Sequence, residues 1–145
     1  MTDKLPFKRC KAAHLRFGQR GERLAARLLK ELGIDILCRN YNGPRGELDI
    51  VGLDGGMLCF VEVKTRKPRK NSRPADAVTL KKRWAMVQTA RHYMKQLDSP
   101  RLPYRFDIIE VILTHRRLHE LRYWPSEFSA KSIHMMMRSV SASSL

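Results

Sequence analysis

Between Gly46 and Arg66 the chain reads GELDIVGLDGGMLCFVEVKTR, two runs rich in Val, Ile, Leu and Phe broken by Asp54-Gly55-Gly56. Such a break between β-prone runs specifies a hairpin. Side chains alternate along a strand, so Glu47, Asp49 and Val51 fall on one face of the first run, with Leu48 and Ile50 on the other. In the second run Phe60, Glu62, Lys64 and Arg66 share a face, opposite Val61, Val63 and Thr65. With Gly55-Gly56 as the loop, Asp49 lies opposite Glu62 and Glu47 opposite Lys64. Taking Asp54-Gly55 as the loop shifts these pairs but keeps their sidedness; only a loop of odd length would separate the acids.

Like charges directly opposite one another destabilise a sheet, and carboxylates near a core need a partner. A divalent cation would remove the repulsion between Asp49 and Glu62, because Mg²⁺ is commonly held by one or two carboxylates together with water and phosphate oxygens. Lys64, beside the pair, could then steady a phosphate or an attacking water. The plainer alternative is a solvated strand face carrying one Glu–Lys cross-strand pair.

Asp49 followed at a distance by Glu62-Val63-Lys64 resembles the D…(D/E)xK signature of restriction-endonuclease-like nucleases. The wording is closer still to one bacterial family. Gly21-Glu22, Arg39-Asn40-Tyr41, Gly46-Glu47-Leu48-Asp49, Val61-Glu62-Val63-Lys64-Thr65-Arg66, Ala77-Val78 with Lys81, and Arg105-Phe106-Asp107 are similar to the YraN family. That family is in turn similar to archaeal Holliday-junction resolvases. The likeness runs from about Phe17 to Phe128. A longer basic N-terminus, the Lys67–Arg73 loop and the Met/Ser-rich tail depart from it. The resemblance implies an endonuclease-like fold, and makes Glu22 an extra carboxylate for the metal site.

The length of 145 residues, 43% of them hydrophobic, suits one domain with its own core. Its 29 Lys and Arg against 14 Asp and Glu leave a net charge of +15. Self-repulsion of that size opposes compactness, so a polyanionic partner is the better explanation, nucleic acid first. A membrane surface is disfavoured for want of a long basic amphipathic helix. No apolar run approaches the ~18 residues that span a bilayer, and MTDKLPFKRCK lacks a signal-peptide core. The unpatterned Cys10, Cys38 and Cys59 point to a reducing, cytoplasmic setting, with Cys59 a small buried hydrophobe.

Residues 1–13 read as a basic flexible arm, 14–128 as the endonuclease-like domain and 129–145 as a Ser/Met-rich tail. A helix is expected over His14–Leu32, burying Leu24, Ala25, Leu28, Leu29 and Leu32 and stopped by Gly33. Glu22 borders that stripe; alone it would pass for an ordinary acid in the first turns. Ile34–Cys38 is a first strand. From Arg66 to Arg73, five of eight residues are basic, placed at the end of the EVK strand to grip a phosphate backbone. Thr79 caps a helix to about Leu97, with a buried face shifting towards Ala90 where Arg91 interrupts it. Lys81, Lys82 and Arg83 crowd its first turn, where a bound phosphate would relieve the conflict with the helix dipole. Tyr104–Leu113 is a strand, parallel to the EVK strand because a helical crossover separates them. Asp107 there suits a structural cation partner, and His119–Trp124 an edge strand.

The order helix, strand, hairpin, helix, strand matches an α/β fold with a restriction-endonuclease-like αβββαβ core, a mixed sheet flanked by helices. The leading expectation is a metal-dependent DNA endonuclease acting on branched or structured DNA. Asp49, Glu62 and the Val63 carbonyl would hold Mg²⁺ (or Mn²⁺), with Glu22 supporting and Glu47 outside them. Lys64 would position water, and Arg66, Lys67, Arg69, Lys70, Arg73 and Lys81 would hold phosphates. Symmetric cutting of two strands would favour a homodimer. The rival is a non-catalytic, basic nucleic-acid-binding protein on the same fold.

Overall fold

Gly33, at φ 83°, ends the first helix by the expected left-handed turn, its amide bonded to Lys30 O and that of Ile34 to Leu29 O. The computed structural model describes residues 6–68, 78–97 and 101–143, with side chains from residue 16 onward. Helix α1 spans Pro6–Glu31, so residues 6–13 are helical and not the unpatterned arm expected. Proline at a first helical position costs no hydrogen bond, and that signal outweighs the lack of an apolar stripe in 6–13. Ala25, Ala26 and Leu29 are buried as the periodicity requires, whereas Leu32 is 55% exposed because the helix has already ended.

Strands β1 (Asp35–Gly43), β2 (Gly46–Asp54) and β3 (Met57–Arg66) follow, then α2 (Leu80–Lys95), β4 (Tyr104–Leu113), β5 (Leu118–Phe128) and α3 (Ala130–Ser143). The five strands lie in sequence order, antiparallel except for the parallel β3–β4 pair that the α2 crossover produces. This is the mixed sheet flanked by helices, compatible with a restriction-endonuclease-like core. Strand β5 is longer than the edge strand expected. The tail folds as α3, with Ser129 Oγ accepting from the Ser132 amide at its start and Ile133 buried.

Two apolar layers sandwich the sheet. Ala25, Ala26 and Leu29 of α1 meet Ile50, Val61, Val63, Ile109 and Val111 on one face. Met86, Val87 and Ala90 of α2 and Ile133 of α3 meet Val51, Phe60, Phe106 and Ile108 on the other. The β2–β3 register is the one expected from a Gly55-Gly56 loop, with Asp54 paired to Met57 and Ile50 to Val61. Pairing of β2 with β3 stops there. Strand β2 continues against β1 down to Gly43–Gly46, and β3 continues against β4 to Arg66–Ile112. The sheet therefore parts between β2 and β3.

The expected alternation along β2 slips at this point. Leu48 packs in the same layer as Val51, while Ile50 packs in the opposite one. The neighbouring Asn40 of β1 has φ 53°, a left-handed conformation costly for most residues but tolerated by Asn. Asp49 thus sits at a seam and not squarely on one face.

Among the described residues, no helix is long and apolar enough to cross a membrane. Cys59 is buried as expected, its thiol pushed up to about 11 by burial.

Candidate metal centre

Where β2 and β3 part, Asp49 replaces a ladder bond with its side chain: Oδ2 accepts from the Val63 amide at 2.8 Å. Glu62 projects towards α2 and is only 8% exposed. Its Oε1 lies 3.6 Å from Lys82 Nζ, and its Oε2 is buried without a hydrogen-bond partner. Burial first, then the charge of Asp49, pushes the Glu62 carboxyl up to about 8, while Lys82 and Lys64 oppose the rise. The structure therefore brings together the acids that the hairpin register places opposite each other.

Glu22 reaches the same seam from α1. With the Asn40 amide nitrogen turned towards the acids, it donates to Glu22 Oε2 at 3.1 Å and Glu47 Oε1 at 3.3 Å. Burial, then Asp49 and Glu47, raises the Glu22 carboxyl above its ordinary range, with Arg39 and Asn40 opposing. What brings α1 so close is Gly21. A Cβ there would fall 1.8 Å from Thr65 Oγ1 and 2.8 Å from Thr65 Cβ and Cγ2. Gly21→Ala should consequently push α1 off β3 and cost about 1–3 kcal/mol in chemical denaturation, as overpacking does. Thr65→Ala should restore part of that loss, and additive losses in the double variant would refute the contact.

Among the described residues, no three His, Cys, Asp or Glu side chains form a ready-made metal cage. The donor set nevertheless fits a hard divalent ion. Asp49 and Glu62 are adjacent, a Glu62 oxygen is unpartnered, and Mg²⁺ needs few protein ligands because it keeps waters and phosphate oxygens.

The basic residues divide. Lys64 is exposed at the mouth of the seam, and Lys67 and Lys81 are exposed beyond it. Arg69, Lys70 and Arg73 lie outside the described residues. Arg66, expected to hold a phosphate, forms an ion pair through its guanidinium with Glu110, whose side chain is fully buried. Lys82, and not Lys81, is the α2 lysine that faces the acids. The apolar face of α2 could have indicated this, since Lys82 stands one turn before buried Met86. Glu110 carried no such signal. On the far face Asp107, fully buried, accepts from Arg105 Nε, Tyr123 Oη at 2.6 Å and the Ser126 amide at 2.9 Å, the structural cation pairing expected of it.

The class is that of an α/β core, a mixed five-stranded sheet flanked by three helices, compatible with a restriction-endonuclease-like fold and carrying an acidic seam near Lys64 and Lys82. The chain belongs to the uncharacterised protein family UPF0102, the YraN family, whose sequence profile matches residues 21–111. A UPF0102 protein of Chlorobaculum parvum is 45% identical over 95 residues, 66% of this chain and 74% of the relative. One from Koribacter versatilis is 45% identical over 102 residues, 69% and 71% of the two chains. Another from Chlorobium phaeobacteroides is 40% identical over 108 residues, 72% and 86%.

Proposed function

We propose that the protein is a metal-dependent DNA endonuclease that hydrolyses phosphodiester bonds in branched or structured DNA. The observation that carries this reading is Glu62: an almost fully buried carboxyl with an unpartnered oxygen, set against a second carboxylate where the sheet opens. An acid pair of that kind is expensive unless a cation joins it. Asp49, Glu62 and the Val63 carbonyl would hold Mg²⁺ or Mn²⁺, with Glu22 supporting from α1 and Glu47 outside. When bound, the ion would supply Lewis-acid stabilisation of the phosphate and a more acidic attacking water.

The chain's own residues do the rest. Lys64 orients the water in line with the scissile bond, and Asn40 fixes Glu22 and Glu47 by its two amide hydrogens. Lys67, Lys81 and the basic run containing Arg69, Lys70 and Arg73 hold flanking phosphates. Lys82 holds Glu62 in place. A net charge of +15 suits the polyanionic substrate. Symmetric cutting of two strands would call for a homodimer.

One observation favours a rival, a non-catalytic nucleic-acid-binding protein on this fold. Lys82 already gives Glu62 a cationic neighbour, which lessens the need for a metal. Incubating the purified protein with a four-way junction, matched duplex and single strand, each in Mg²⁺, Mn²⁺ or EDTA, decides between them. Metal-dependent cleavage is expected; tight binding without cleavage would leave the rival.

The raised Glu62 carboxyl makes a separate prediction for metal-free protein. A carboxyl whose proton is held more tightly in the folded state stabilises most below its unfolded value of about 4.5, and that contribution is lost as pH rises towards about 8. In EDTA, Tm should therefore decline across this window, and Glu62→Gln should flatten the decline. An unaltered pH profile in Glu62→Gln would show that the acid pair is not strained.

A further inference from the structure

On the α1 side of the seam a cavity of about 360 Å³ is lined by Gln19, Glu22, Arg23, Arg39 and Asn40. Glu22 and Asn40 connect it to the acid cluster, whereas Arg23 and Arg39 bring two exposed guanidiniums to it. Gln19 and Arg23, four apart on α1, project on the same side of the helix. Arg39 comes from the edge strand β1, immediately before the left-handed Asn40.

Three other arginines are engaged. Arg20 donates to Thr114 O, Arg27 is paired with Glu31, and Arg66 with Glu110. Among the described residues neither Arg23 nor Arg39 forms an ion pair, although Arg39 is near enough to Glu22 to oppose its upward shift. The guanidinium fork matches phosphate geometry.

We infer that Arg23 and Arg39 form a phosphate subsite that takes a second phosphodiester of the DNA strand whose scissile phosphate lies at Asp49 and Glu62. The inference rests on the nuclease reading for the course of that strand. Glu22 alone would repel an anion here, so the subsite needs the cation proposed at the neighbouring acids. Arg16, exposed two turns before Arg23 on the same side of α1, extends the path outwards. The strand then crosses the parting of the sheet, with Lys64 on one flank and the two arginines on the other.

The test uses full-length protein, a fluorescein-labelled four-way junction and a labelled single strand, with Ca²⁺ replacing Mg²⁺ so that binding is read without cleavage. Anisotropy titrations over a salt series give both affinity and the slope of log K against log salt. Arg23→Gln and Arg39→Gln should each weaken binding about three- to tenfold and reduce the slope by ~0.7–0.9, the loss of one phosphate contact. Arg138→Gln, on α3 behind the opposite face of the sheet, should change neither. Both substitutions are at exposed positions, and unaltered Tm values would exclude misfolding as the cause.

Normal binding and slope in both variants would overturn the subsite and leave the nuclease reading standing. No binding by the wild-type protein to either DNA would overturn both. Inorganic phosphate that raises Tm in wild type but not in Arg39→Gln, with DNA binding unaltered, would identify a free-anion site and overturn the strand assignment.

Discussion

Asp49→Asn is expected to abolish metal-dependent cleavage while leaving the fold intact. The substitution is isosteric, and an Asn side-chain oxygen can still accept from the Val63 amide, the bond that Asp49 Oδ2 makes at 2.8 Å. What disappears is the like charge beside Glu62. The Glu62 carboxyl should then titrate lower, since Asp49 is the second largest cause of its rise. Loss of one preorganised electrostatic contact commonly costs about 10²–10³ in rate, and loss of a metal ligand should reach at least that. Lys64→Ala should give a comparable loss in rate without altering metal-induced stabilisation, because it acts on water and phosphate. Cleavage that survives in Asp49→Asn would remove this acid pair from the chemistry altogether.

The second large effect concerns stability alone. Arg105→Ala should destabilise the protein by about 3–5 kcal/mol, the usual consequence of stripping the partner from a buried charge. Asp107 is fully buried, and the Arg105 guanidinium spans it and Asp54, at 3.1 Å and 3.0 Å. Tyr123 and the Ser126 amide would remain, but neither carries a positive charge. Burial opposes the charge on Arg105, but hydrogen bonding to Tyr123 and the charge of Asp107 hold its guanidinium above the ordinary range, while burial and then the Asp107 hydrogen bond raise the Tyr123 phenol. Total stabilities run to about 5–15 kcal/mol, so about a fifth or more would be lost. Tyr123→Phe should cost less, about 1–3 kcal/mol. Urea unfolding of the three proteins measures both, and a loss below that of Tyr123→Phe would show that Asp107 does not depend on its arginine.

Much of the centre was legible because it follows from one turn. Gly55-Gly56 sets the hairpin register, and Asp49 and Glu62 stand immediately beyond its last pair, Ile50 with Val61. The slip between Leu48 and Ile50 was hidden, since it depends on where β1 turns at Asn40 and not on any pattern within β2. Lys82 was obscured by its neighbour Lys81, because three consecutive cations give no periodicity of their own. Glu110 lies in an apolar strand of eight buried residues, where the sequence FDIIEVIL says that an acid is buried but not which arginine answers it. Helix α3 could have been read from Ser129 as a cap with Ile133 and Met137 one turn apart, but its serines suggested a tail.

The parting of β2 from β3 has one more consequence. Glu22 is delivered by the layer beneath the sheet and Glu62 faces the layer above, while Asp49 belongs to neither. Glu22 and Glu62 thus answer to different halves of the hydrophobic interior. Loosening α1 through Gly21 should misplace Glu22 alone, and loosening α2 through Met86 should disturb Glu62 with its lysine. The two outer acids should therefore respond separately, one to each half of the interior, as the joints of a frame fail one at a time.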